Sequence, residues 1–330
     1  MSDRIAWLDF AKGIGIFLVV VGHAVRGIDV AGVPDEAGLL QALDQTIYAF
    51  HMPLFFLLSG VTFGMRPPAN IQPDLTKRIW RLFFPLVIWT YAFLFLRSFA
   101  GDNANANGSL SDILIFPIPP VLHFWFLWAL LLNIIFFTVL RLAIRPAVSE
   151  QFFWIGAFIL SLLAHFSIDL PESLWPLFGP GINYSLAFTM GAVIGSSEIV
   201  RMVPNRNLAA LGFLIFSIIL YATISIDMPV STVLSGSIIS LFLLLPLATL
   251  SSRFEKSLLV QSLAFLGVIS LSIYVMHTMF SATIRIVLIQ TGTFNLAAHL
   301  FLGVSFGVIG PVLVYLWLRR VRLLRVVGLA

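Results

Sequence analysis

The chain contains no cysteine. That absence excludes a thiol nucleophile, thiolate metal sites, disulfides and palmitoylation, and leaves the redox compartment unread. Charge is scarce too: 10% of the 330 residues are Asp, Glu, Lys or Arg, against about a quarter in a soluble domain. Gly-rich phosphate loops, an HExxH zinc helix and a GxSxG nucleophile elbow are also missing. The sequence offers hydrocarbon instead. Apolar residues make up 59% of it and the mean hydropathy is +1.01. The apolar runs are long and continuous rather than short and alternating, so they read as spanning helices and not as barrel strands.

Ten spans are predicted, near residues 8–28, 45–64, 79–98, 121–140, 151–168, 182–197, 207–225, 230–250, 265–288 and 296–318. The expected fold is all-α, a polytopic bundle of about ten transmembrane helices. Lys and Arg concentrate in cytoplasmic segments. With the N-terminus inside, sixteen of the nineteen basic residues fall on the cytoplasmic side. Only Arg26, Arg97 and Arg285 fall outside. Adding or removing one span would destroy that separation, so both termini are predicted cytoplasmic. The net charge of +4 and the pI of about 9.7 then follow from topology and do not argue for nucleic acid. The first span has a basic start but no small-x-small cleavage site after it, and is read as a retained helix.

The segment Gly101 to Asp112 is polar and small and reads as a flexible turn. Asp169 to Gly181 carries Trp175, Leu177 and Phe178 between prolines. It reads as a loop folded onto the outer surface, either an interfacial aromatic anchor or the lining of an entrance. No loop is long enough to be a domain, so chemistry is expected within the bundle or at its mouths.

The first helix concentrates the chemical signal. Only thirteen charge-free residues separate Lys12 from Arg26, whereas a spanning helix needs about 20. The helix therefore draws Asp9 and Lys12 toward the bilayer. Eleven residues at 100° each return to within about 20° of the starting direction after about 16 Å of rise, so Lys12 and His23 share a stripe. Asp9 joins that stripe and can neutralise Lys12. An imidazole at this depth serves as a general base or carries an acyl group; equally, it is the pattern of a buried structural histidine.

Other candidates are spread along the chain. His51 and Pro53 open the second span at its expected outer end, and Ser59-Gly60 allows a helix to approach closely. Arg78 and Arg81 face one way from a helix start with Lys77 beside them, a geometry suited to phosphate and equally to a topology signal. Ser270, Tyr274 and His277 lie on one face of the ninth span. His123, Trp125 and Trp128 read as an aromatic belt, or as a sugar-stacking surface. The isolated His165 and His299 are assigned to structure.

In order, LDFAKGIGIFLVVVGH (Leu8 to His23), FHMPLFFLLSG (Phe50 to Gly60), KRIWRLFFP (Lys77 to Pro85), HFWFLW (His123 to Trp128) and LGVISLSIYVMH (Leu266 to His277) resemble the acyltransferase 3 family of multipass membrane O-acyltransferases. The family's basic residue, ten intervening residues and histidine map onto Lys12 and His23. Its Arg-x-x-Arg maps onto Arg78 and Arg81. The basic position is often Arg, and Lys here keeps the charge but loses the bidentate fork. The resemblance implies one transmembrane acyltransferase domain over residues 1–330, of the stand-alone type without an SGNH domain, in a bacterial inner membrane. It also implies acetyl-CoA as donor, a carbohydrate hydroxyl as acceptor, contact with membrane lipid and no metal. His23, Lys12 and Asp9 are then the expected catalytic group. Lys77, Arg78 and Arg81 are the expected coenzyme group, with His51, Ser270, Tyr274 and His277 on the acceptor side. The rival reading, a transporter or flippase for a lipid-linked sugar or small solute, accounts equally for ten helices and intramembrane charge.

Overall fold

A computed structural model describes residues 5–66, 71–100, 118–144, 148–225 and 232–329. The segment Gly101–Asp112 and the basic residues Arg4 and Arg145 lie outside these. Among the described residues there are twelve α-helices and no strand. They are α1 (Ala6–Val30), α2 (Leu39–Tyr48), α3 (His51–Gly64), α4 (Ile71–Ala100), α5 (Trp125–Ile144), α6 (Glu150–Ser167), α7 (Trp175–Gly195), α8 (Arg206–Ser225), α9 (Thr232–Arg253), α10 (Leu258–Val268), α11 (Ser270–Gln290) and α12 (Leu296–Arg320). Among the described residues ten spans are long and apolar enough to cross a membrane, with α2 and α3 together forming one of them. The protein is a polytopic all-α membrane protein.

Two predicted spans are broken. The second divides at Ala49 and Phe50, where Phe50 leaves helical geometry at φ −143° and ψ −17°. Pro53 then falls in the first turn of α3, the one place where a missing N–H costs no helical hydrogen bond. His51 consequently sits at mid-span and buried, not at the outer end that the apolar run indicates. The predicted ninth span, 265–288, divides at Ile269 into α10 and α11. At 11 residues α10 is too short to cross, and it packs along α1. Asp169–Gly181 is also corrected: α7 begins at Trp175, so the aromatics are a helix start and not a folded loop. Trp175 and Phe178 are 44% and 42% exposed and line none of the cavities described below.

Helix α1 is the axis of the bundle, with α2, α3, α9, α10, α11 and α12 all packed on it. The peripheral α8 turns Leu211, Phe213, Leu214 and Ile218 outward, as hydrocarbon surroundings require. Helix α3 is buried nearly all round and is pressed closest against α7. A Cβ on Gly60 would collide with the Phe188 carbonyl, and one on Gly191 with the Leu57 carbonyl. Small residues on both helices therefore let the backbones touch. Gly191→Leu is expected to cost about 3 kcal/mol or more through overpacking against an immovable backbone. The check is the thermal unfolding midpoint in detergent; a wild-type midpoint would contradict the close-approach account.

Candidate active site

Three cavities follow the face of α1 that carries Asp9, Lys12 and His23. The first, about 540 Å³, is lined by His23, Arg26, Tyr48, His51, His123, Trp125 and Arg285, among others. The second, about 280 Å³, is lined by Asp9, Lys12, Ser59, Ser270 and Tyr274. The third, about 750 Å³, is lined by Lys12, Thr62, Arg66, Lys77, Arg78, Arg81 and Arg325. Lys12, Ser59, Leu82 and Leu130 belong to both the second and the third. Tyr274 lines the second, and its hydroxyl donates to the backbone carbonyl of His123 in the wall of the first. One layer of side chains thus divides the histidine cavity from the two that meet at Lys12.

On the wall of the first cavity the imidazoles of His23 and His123 form a triangle with that of His277, which lies behind them and does not line the cavity. Ring centroids are 5.0 Å apart for His23 and His277, 5.8 Å for His23 and His123, and 5.4 Å for His123 and His277. His23 is half-buried, whereas His123 and His277 are buried. Nδ1 of His277 lies 2.7 Å from the Tyr274 carbonyl and 3.1 Å from that of Ile273. A carbonyl only accepts, so Nδ1 carries the proton and Nε2 is left as a lone pair without a partner among the described residues. His51 is fixed the same way, its Nδ1 2.8 Å from the Ile47 carbonyl at the break between α2 and α3. Tyr48 bridges these groups, edge-on to His51 at 4.5 Å and to His23 at 6.4 Å. Arg26 holds Tyr48 from above, 3.1 Å from the ring centre, and is itself held by Asp44 at 2.6 and 3.2 Å.

Lys12 reaches across to α3, where its Nζ donates to the Thr62 hydroxyl at 3.0 Å, and Thr62 passes the bond to the Leu58 carbonyl. Asp9 shares the second cavity with Lys12. Arg78 is pinned on the wall of the third, its Nη2 2.6 Å from the Arg66 carbonyl and its guanidinium 4.4 Å from the Phe63 ring centre. Lys77 and the exposed Arg81 face the same cavity.

The structure gathers Lys12, Asp9, Ser270 and Tyr274 in one cavity, Lys77, Arg78 and Arg81 in another, and His23 and His51 in a third, with His277 against His23. The expected catalytic group is thus split between His23 and the Lys12–Asp9 pair, and the expected acceptor group between His51 with His277 and Ser270 with Tyr274. Helical periodicity places side chains on a face without saying which neighbouring helix closes each cavity. His123 corrects the aromatic-belt reading: it is buried in the triangle and not at an interface. Its signal was the lone imidazole inside an aromatic run, which periodicity does not separate from a belt. The Arg26–Asp44–Tyr48 group also went unread, because it forms across the turn between α1 and α2. His299 is buried, with Nε2 2.8 Å from the Thr293 carbonyl. Among the described residues no three His, Asp or Glu side chains gather as metal ligands.

Residues 5–316 match the family described as Acyltransferase domain. The chain belongs to that family. The match covers nearly its whole length. Two curated relatives of this acyltransferase are both Nodulation protein NolL. That of Mesorhizobium japonicum is 32% identical over 141 residues, 42% of this chain and 36% of the relative. That of Sinorhizobium fredii is 30% identical over 131 residues, 39% of this chain and 35% of the relative. The acyltransferase therefore spans about a third of the length of the curated relatives it matches. No solved structure matches it.

Proposed function

We propose that this acyltransferase moves an acetyl group from cytoplasmic acetyl-CoA to a hydroxyl of an exported glycan, such as exopolysaccharide or O-antigen, in a bacterial inner membrane. The observation that carries this reading is the arrangement along α1, with Lys77, Arg78 and Arg81 around the 750 Å³ cavity and the imidazoles of His23, His51 and His123 around the 540 Å³ cavity. Nucleotide phosphates do not enter hydrocarbon, so they stay where Lys77, Arg78 and Arg81 converge. The thin thioester arm extends past Lys12 and Ser270 and displaces the Tyr274 side chain, the layer between the cavities, so that the thioester carbonyl reaches the His23 cavity. Lys12, with Asp9 close by, keeps that passage polar.

The acceptor hydroxyl enters beside His23. Its oxygen attacks the thioester carbonyl carbon as His23 accepts its proton; the carbon–sulfur bond breaks, and the coenzyme thiolate leaves and is protonated. His123 and His277, buried behind His23, orient its ring. The coenzyme never crosses the membrane.

Membranes supplied with radiolabelled acetyl-CoA and polysaccharide test the reading. Label is expected in the glycan as alkali-labile ester. Solute uptake without label in glycan would overturn it in favour of transport.

A further inference from the structure

Three basic residues stand apart from the cytoplasmic concentration of Lys and Arg: Arg26, Arg97 and Arg285. All three line the 540 Å³ cavity that contains His23. A topology signal has no reason to converge on one cavity. Among the described residues no aspartate or glutamate lines that cavity. Arg26 is answered from behind by Asp44. Arg285 is not answered: it is 9% exposed, and its Nε is buried with no hydrogen-bond partner among the described residues. A guanidinium withdrawn from water without a counter-charge is costly, and groups of that kind inside a membrane mark ligand sites.

Its position is built. The guanidinium Nη1 occupies the space that a Cβ on residue 27 would fill, so the glycine there is a notch for it. Gly27 is four residues beyond His23, on the same face of α1 and about 6 Å further along the axis. The unpaired cation therefore stands one helical turn from the imidazole that receives the hydroxyl proton.

We propose that Arg285, seated in the Gly27 notch, binds an oxyanion of the acceptor, so that the enzyme selects an anionic glycan over a neutral one. This rests on the acyl-transfer reading of the cavity. The shared chemistry is a group with two acceptor oxygens, which a guanidinium grips in a fork. It comes either from the carboxylate of an acidic sugar or from the phosphate of a lipid-linked one.

The test compares the wild-type protein, Arg285→Gln and Gly27→Ala in lipid nanodiscs, each checked for monodispersity. The second variant displaces the guanidinium while leaving it in the chain, so either variant alone carries the test if the other fails to fold. Binding is measured without donor, using a uronic-acid oligosaccharide, its carboxyl-reduced neutral counterpart and a polyisoprenyl-diphosphate sugar. The wild type is expected to bind one anionic probe about 10- to 100-fold more tightly than the neutral one. Both variants bring that ratio close to one. Whichever anionic probe is preferred identifies the source of the charge. Transfer of labelled acetyl to the same three acceptors is measured separately. Charge-selective binding with no transfer to any acceptor upholds the Arg285 site and overturns acyl transfer. Equal binding of charged and neutral probes by the wild type, or a preference that survives Arg285→Gln, overturns the site even where transfer proceeds.

Discussion

Replacing His23 by alanine is expected to lower acetyl transfer by at least about 100-fold, and by as much as about 10,000-fold, the range that a positioned general base contributes. The same variant should remain folded. His23 is half-buried and faces an existing cavity, so truncation enlarges that cavity without opening a sealed core. His123 and His277 differ in this respect. Both are buried, and the Tyr274 hydroxyl bond to the His123 carbonyl ties α11 to the segment that leads into α5. Their alanine variants would mix loss of activity with loss of packing. The measurement is therefore specific activity of His23→Ala on purified, monodisperse protein, with the thermal midpoint recorded beside it. Transfer within a few-fold of wild type, at an unchanged midpoint, would remove His23 from the reaction and leave the triangle as packing. His23→Gln separates the base from the hydrogen bond: glutamine retains a polar group in the cavity but accepts no proton, so it too should lose about 100-fold or more.

The reach of sequence reasoning divides along a physical line. Apolar runs set by the need to satisfy backbone groups in hydrocarbon gave ten spans, because that constraint is local and strong. The Lys12 and His23 stripe was legible for the same reason, since helical periodicity places side chains without any knowledge of neighbours. The breaks at Phe50 and Ile269 were not, because hydropathy is blind to a change of helix direction. Pro53 did carry a sign of the first break, because proline is tolerated in a helix's first turn and disrupts its interior. His123 shows the other limit. Its run HFWFLW fits an interfacial belt by composition, and only the packing of α11 against α1 reveals that His277 and His23 arrive beside it. Arg285 was visible as an exception to the charge pattern, but its notch depends on which helix supplies Gly27. Intramembrane pairings between distant segments are tertiary facts, and a period of 3.6 residues contains none of them.

The paired arginines carry the second large effect. Arg78→Ala combined with Arg81→Ala is expected to raise the KM for acetyl-CoA by about 100-fold, with kcat changed only a few-fold, since each charge-assisted contact to phosphate contributes about a factor of 10 or more. That pattern reflects lost binding shared by ground state and transition state. The effect should be carried mostly by Arg81. Arg78 has already committed one nitrogen to the Arg66 carbonyl and its face to the Phe63 ring, so removing it also loosens the wall of the cavity. Arg81 is exposed and faces the same cavity, so its truncation leaves the fold alone. A donor without nucleotide phosphates separates recognition from topology. Acetyl-pantetheine has the same thioester and arm, so wild-type protein should use it with a much higher KM than acetyl-CoA. In the double variant the two donors should become nearly equivalent, because the groups that told them apart are gone. If the variant instead inserts normally and still prefers acetyl-CoA by the wild-type factor, Arg78 and Arg81 serve only to hold the loop on its side of the membrane, and the phosphates are bound elsewhere.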